Sequence, residues 1–122
     1  MTEVVASIES GPRNLVVLAG SETQIPCNRG TLIDLLGIDW YFVDVSGSEE
    51  IKLSARSQIS SAGKGFSVSG KIPGESLSIS STELKHAGKY ICATLERPKN
   101  RSTTDAAKFI TQVIVLGKFV FN

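Results

Sequence analysis

Histidine is almost missing from this sequence. His86 is the only one in 122 residues, and only two cysteines, Cys27 and Cys92, accompany it. A four-ligand zinc site would need carboxylates to fill most of its coordination sphere, so no metal site is expected, and no cofactor either. The same scarcity removes the usual base of a hydrolytic triad, and Glu49-Glu50 reads as a solvated loop rather than an acid/base pair. No catalytic residues are expected, and the chain is not read as an enzyme.

Excess charge of either sign is missing too, since 13 Lys+Arg stand against 12 Asp+Glu. Such a balance provides neither the field that steers nucleic acid nor that of an acidic tail, so nucleic-acid binding is not expected. There is also no long hydrophobic run. The most apolar stretch, Phe109 to Phe121, is broken by Thr111, Gln112, Gly117 and Lys118 and falls short of the roughly 20 residues of a spanning helix. No direct membrane insertion of this segment is expected. Met1-Thr2-Glu3-Val4-Val5 has neither the basic start nor the unbroken apolar run of a secretory signal, with only the short patch Leu15 to Ala19 following. For a secreted domain the expectation is that the signal and any anchor lie outside this sequence, Met1 being a remnant of expression.

What is present is one domain's worth of chain, whose 41% hydrophobic content suffices for one packed core. The domain is expected to occupy 1–122, with its core at about 3–116 and 117–122 as a tail or the start of a linker. Glycine and serine break the chain at Ser10-Gly11-Pro12, Gly20-Ser21, Ser46-Gly47-Ser48, Ala62-Gly63-Lys64-Gly65 and Pro73-Gly74. The runs between them have the length of strands. Ile38, Trp40 and Phe42 alternate onto one face, and Leu77 and Ile79 oppose Ser76, Ser78 and Ser80, the pattern of half-buried antiparallel sheet. Pro73-Gly74 suits a type II turn joining strands around Phe66–Val68 and Leu77–Ile79. One segment is ambiguous. Apolar residues at 106, 109, 110, 113 and 114, between Asp105 and Gly117, fit a helical period, but Ile110, Thr111, Val113, Ile114 and Val115 are β-branched. The segment 105–116 is read as a strand.

The cysteines are 65 positions apart, Trp40 follows the first by 13, and Tyr90 precedes the second by two. This constellation resembles the immunoglobulin superfamily, and His86-Ala87-Gly88-Lys89-Tyr90-Ile91-Cys92 is similar to its Asp-x-Gly-x-Tyr-x-Cys motif with His in place of Asp. The resemblance runs from about Gly20 to about Leu116 and is to the V-type (V-set) domain, by its long cysteine spacing. It implies an all-β, two-sheet antiparallel Greek-key sandwich. It also implies a Cys27–Cys92 disulfide between the sheets, a core tryptophan at Trp40 and a tyrosine corner at Tyr90. Such a bridge would be worth about 4 kcal/mol in the chain-entropy model and implies an oxidising, extracellular compartment. The rival is a cytosolic muscle-type domain with reduced cysteines. Asn100-Arg101-Ser102 is a glycosylation acceptor that agrees with secretion.

Two departures from the family pattern stand out. With His86 in the motif and Lys64-Gly65-Phe66 where an arginine often opens the fourth strand, the usual Asp–Arg ion pair cannot form. The Phe-Gly-x-Gly bulge of antibody and T-cell-receptor domains is also missing from the last strand, which excludes a rearranging receptor.

With Trp40 and Cys92 facing in, Asp39, Tyr41, Val43, Lys89, Ile91, Ala93 and Leu95 are expected to face out from one sheet, and Gln24, Pro26, Ser67, Ser69, Ser76, Ser78 and Ser80 from the other. Contiguous apolar surface marks an interface. Tyr41, Val43, Ile91 and Leu95 are therefore expected to contact a partner, with Arg97, Lys99 and Arg101 beside Leu32-Ile33-Asp34-Leu35-Leu36 at a loop tip. The expected function is that of an extracellular recognition domain of a cell-surface receptor, adhesion molecule or secreted immune-type protein, binding a protein that could be a second copy of itself as a homodimer. The alternatives are a structural spacer, whose outward faces bind nothing, and a carbohydrate-binding V-type domain. A sialic-acid lectin of this family would need an outward arginine on the sixth strand, where this chain has Lys89, Ile91, Ala93 and Leu95.

Overall fold

The computed structural model describes residues 13–27, 35–47, 49–69, 75–96 and 105–117. They form strands β1 (Arg13–Leu18), β2 (Thr23–Pro26), β3 (Leu35–Asp44), β4 (Glu50–Ala55), β5 (Gln58–Ile59), β6 (Phe66–Ser69), β7 (Ser76–Ile79), β8 (Gly88–Glu96) and β9 (Asp105–Leu116). Single 3₁₀ turns lie at Ser61–Gly63 and Leu84–His86. One sheet runs β1-β9-β8-β3-β4-β5 and the other β2-β7-β6. Because β8 inserts between β9 and β3, and β7 between β6 and β2, sequence neighbours are not always sheet neighbours, which is Greek-key connectivity. Every pairing is antiparallel except that of β1 with β9, which is parallel.

The expected strand at 105–116 is β9, and the expected hairpin of β6 with β7 is present, Phe66 facing Ile79 and Val68 facing Leu77. Its turn at Pro73-Gly74 lies outside the described residues, as do 1–12 and 118–122. Pro26, which has no N–H for a ladder, closes β2, an edge strand paired only with β7.

The core follows from strand alternation. Ile25, Ile38, Trp40, Leu53, Leu77, Ile79, Tyr90 and Val113 are fully buried between the sheets, and each aliphatic side chain among them contributes about 1.5–3 kcal/mol by leaving water. Cys27 and Cys92 bridge the two sheets, with their Cα atoms 5.9 Å apart, and Trp40 stands opposite Cys92 across β3 and β8. Tyr90 packs on Phe42, ring centroids 4.8 Å apart, and its hydroxyl donates to the His86 carbonyl at 2.6 Å. Burial raises the Tyr90 phenol above its ordinary pKa.

At the same turn, the Glu83 N–H donates to Nδ1 of His86 at 2.8 Å, and the Glu83 side chain accepts from the His86 backbone, a capping box closed by an imidazole. Phe66 meets the His86 ring edge-on at 5.5 Å. An aromatic contact therefore joins β6 to this turn at the place where the resemblance would put an ion pair.

Candidate interaction face

The register places side chains on the outward face of the six-stranded sheet in rows. One row runs Glu50, Val43, Lys89, Gln112, Asn14 across β4, β3, β8, β9 and β1. The next runs Lys52, Tyr41, Ile91, Ile110, and the one beyond it Asp39, Ala93, Lys108. On the other side of the first row, Ile114 faces Val16 and Leu116 faces Leu18 across the parallel β9–β1 pair.

Tyr41, Val43 and Ile91 are brought together on this face, each half-buried. The ammonium of Lys52 lies 5.6 Å from the centre of the Tyr41 ring, within cation–π range, and 3.3 Å from a carboxylate oxygen of Asp39. That carboxylate raises the pKa of Lys52 above its ordinary value. The backbone of Leu95 pairs with Gly37 and Asp105, but its side chain lies outside the described residues. So do Arg97, Lys99, Arg101, the acceptor Asn100 and most of the loop after Cys27.

Two residues expected to be open on this face are not. Asp39 points away from Trp40 but is buried, and so is Ala93. For Asp39 the reason is the β4–β5 turn, which folds back over the start of β3. The Arg56 N–H donates to the Asp39 carboxylate at 2.8 Å, and the Ser57 N–H to the Ile38 carbonyl at 3.0 Å. Arg56 and Ser57 both take positive φ, 48° and 67°, as the two central residues of a type I′ hairpin do. Only a glycine fits beneath them, since a Cβ on Gly37 would stand 2.8 Å from Cα of Arg56.

The face also contains four residues that the alternation of β3 and β8 alone did not reveal. Val16 and Leu18 are each 57% exposed, Ile114 40% and Leu116 45%. The signal for the last two was the alternation of β9 itself, where 109, 111, 113 and 115 point inward and 110, 112, 114 and 116 outward.

The opposite sheet differs in chemistry. Gln24, Pro26, Ser67 and Ser80 are exposed there, and Ser69 and Ser76 are half-buried. Ser78 was expected to be open but is buried, its hydroxyl 3.1 Å from that of Ser69.

Among the described residues, no three His, Cys, Asp or Glu side chains converge in a way that could hold a metal ion. No helix there is long and apolar enough to cross a membrane. Comparison with protein-family models finds none that matches this chain, and comparison with curated protein sequences finds no match either.

Proposed function

We propose that this chain is an extracellular immunoglobulin V-type domain. It is the recognition module of a cell-surface receptor, adhesion molecule or secreted immune-type protein, and it binds a protein partner through the outward face of its six-stranded sheet. The V-type reading is supported by the strand set, because β4 and β5 extend the sheet of β9, β8 and β3 as the added strands of variable-type domains do. A disulfide between sheets supports an oxidising compartment.

The observation that carries the functional reading is the asymmetry of the two outward faces. Val16, Leu18, Ile114 and Leu116 expose aliphatic surface on one, whereas glutamine, proline and serine make up the other. Four strands by eight residues give a face of about 27 by 19 Å, or about 500 Å², a surface that apolar and charged side chains share. A standard interface buries about 800 Å² per partner, so this face alone supports weak, fast recognition unless loops add to it. Because Lys52 covers the Tyr41 ring, the ring is a poor stacking platform for a sugar, which favours a protein partner.

The test compares variants as fluorescent multimers on intact cells of the source organism. Tyr41→Ala and Ile91→Ser are expected to lose binding, and Ser67→Arg on the opposite sheet to keep it. Equal binding by all three rejects the reading.

A further inference from the structure

We propose that the domain has a second binding site, a cleft between the two sheets that takes a small organic anion with an aromatic body. It is separate from the outward face of the six-stranded sheet. The cleft lies where β4 and β6 leave the sandwich open, since they belong to different sheets and do not pair with each other. Its volume is about 430 Å³, within the range of ligand pockets. Leu53 and Ile79, both fully buried, are its deepest lining. The rings of Phe42 and Phe66 line it from opposite sheets, each half-buried, and Ile51 stands nearer the mouth, 37% exposed. Gly65 contributes no side chain, and a Cβ built there would meet no atom within 4 Å. Two rings left partly uncovered over an aliphatic floor suit a flat apolar body.

The charge at the mouth selects the sign of the ligand. Lys64, Lys85, His86 and Glu83 all line the cleft. Glu83 is already engaged, because its side chain accepts from the His86 backbone and lies 4.0 Å from the Lys85 ammonium. Lys64 is exposed and has no ion pair among the described residues, where the ion pairs are Lys52–Asp39 and Lys85–Glu83. Nδ1 of His86 accepts the Glu83 N–H, so the hydrogen of the neutral ring is on Nε2, which has no hydrogen-bond partner among the described residues. A carboxylate therefore finds an uncommitted ammonium and an N–H donor beside an apolar cleft, and a charge-assisted bond to either fixes its orientation. A cation of the same shape finds Lys64 repelling it and the one nearby carboxylate already paired.

Naphthoate is the probe, with naphthylmethylammonium and naphthalenemethanol as its cationic and neutral counterparts. Each is titrated into the isotope-labelled domain, and amide NMR shifts give both the place and the affinity of binding. Expected are naphthoate shifts centred on Leu53, Phe66 and His86, with a Kd of about 1 mM or below. The cation is expected to bind at least about tenfold more weakly, and the neutral alcohol between the two. Lys64→Glu is expected to weaken naphthoate at least about fivefold and to turn the preference toward the cation. Ala62→Trp, which places a ring at the mouth, is expected to weaken all three alike. Both positions are exposed, and thermal melting checks that the fold is kept; if Ala62→Trp fails that check, Lys64→Glu decides alone.

No binding at millimolar naphthoate overturns the inference, as do shifts centred on Tyr41 and Ile91 instead of the cleft. Equal binding of the three probes, or an unchanged preference in Lys64→Glu, also overturns it, because the cleft would then take apolar bodies without regard to charge.

Discussion

The Tyr90 hydroxyl and the His86 carbonyl, four residues apart, are 2.6 Å from each other and pin the turn that opens β8. Gly88, between them, has a φ of +149° and lies under the Val43 carbonyl. The bond thus holds the strand that carries Lys89, Ile91 and Cys92 in register with β3. Tyr90→Phe keeps the ring stack on Phe42 and loses only this bond. Urea unfolding is expected to show a loss of about 1 kcal/mol, the cost of leaving a part-buried carbonyl without its donor. No measurable change would mean that the corner contributes nothing to stability.

His86 makes stability depend on pH. Its Nδ1 accepts the Glu83 N–H, which requires the unprotonated ring, and burial, the largest influence on it, lowers its pKa below the ordinary value. The unfolded chain therefore takes up the proton first as pH falls. The contribution of His86 is fully present above a pH of about 6.5 and is lost as the pH falls from there toward the lower pKa of the folded state. His86→Asn keeps an acceptor oxygen near the Glu83 N–H without a titrating ring. Stability of the wild type is expected to fall relative to His86→Asn across that window, as read by urea midpoints. Parallel curves would show that the ring does not titrate differently on folding.

Reduction of Cys27–Cys92 releases a loop of 65 residues and is expected to cost about 4 kcal/mol. A thiol titration of the unfolded, unreduced protein should find no free thiol. Two thiols per chain would remove the bridge from the account.

The β4–β5 turn carries backbone strain. Arg56 sits at φ 48° without being glycine, at a cost of about 1 kcal/mol, while its N–H still bonds to Asp39. Arg56→Gly preserves that bond and is expected to raise stability by about 0.5–1 kcal/mol. Asp39→Ala removes the acceptor of a part-buried N–H and the partner of Lys52, and is expected to lower stability by about 1–3 kcal/mol. Thermal unfolding of both variants checks the two directions.

β9 could be read from sequence by its run of β-branched residues, and the disulfide, Trp40 and Tyr90 only as what the resemblance carried by their spacing implies. The helical period within 105–117 has a physical explanation. β9 is apolar on both faces, with Phe109, Val113 and Val115 turned to the core and Ile110, Ile114 and Leu116 turned outward, so its apolar residues fall at intervals that a one-sided strand would not show. That two-sidedness also hid the exposed half of the patch on β1 and β9, since alternation cannot say which of two apolar faces meets the core. The burial of Asp39 depends on a turn 17 residues further along the chain, and no local pattern announces such a contact. The contact of His86 with Phe66 is likewise long-range, and only the lack of the ion pair was legible.

The central claim is that recognition uses the outward face of the six-stranded sheet, and a glycan placed on that face tests it most directly. Gln112→Asn with Ile114→Thr creates an Asn-Val-Thr acceptor there, and Ser67→Asn creates Asn-Val-Ser on the serine-rich sheet. Both are expressed with their glycans, verified by mass, and compared with the wild type as multimers on intact cells of the source organism. Loss of binding with the glycan at position 112 and unchanged binding with the glycan at position 67 is the result expected. Unchanged binding with the glycan at position 112, or loss confined to position 67, would contradict the account.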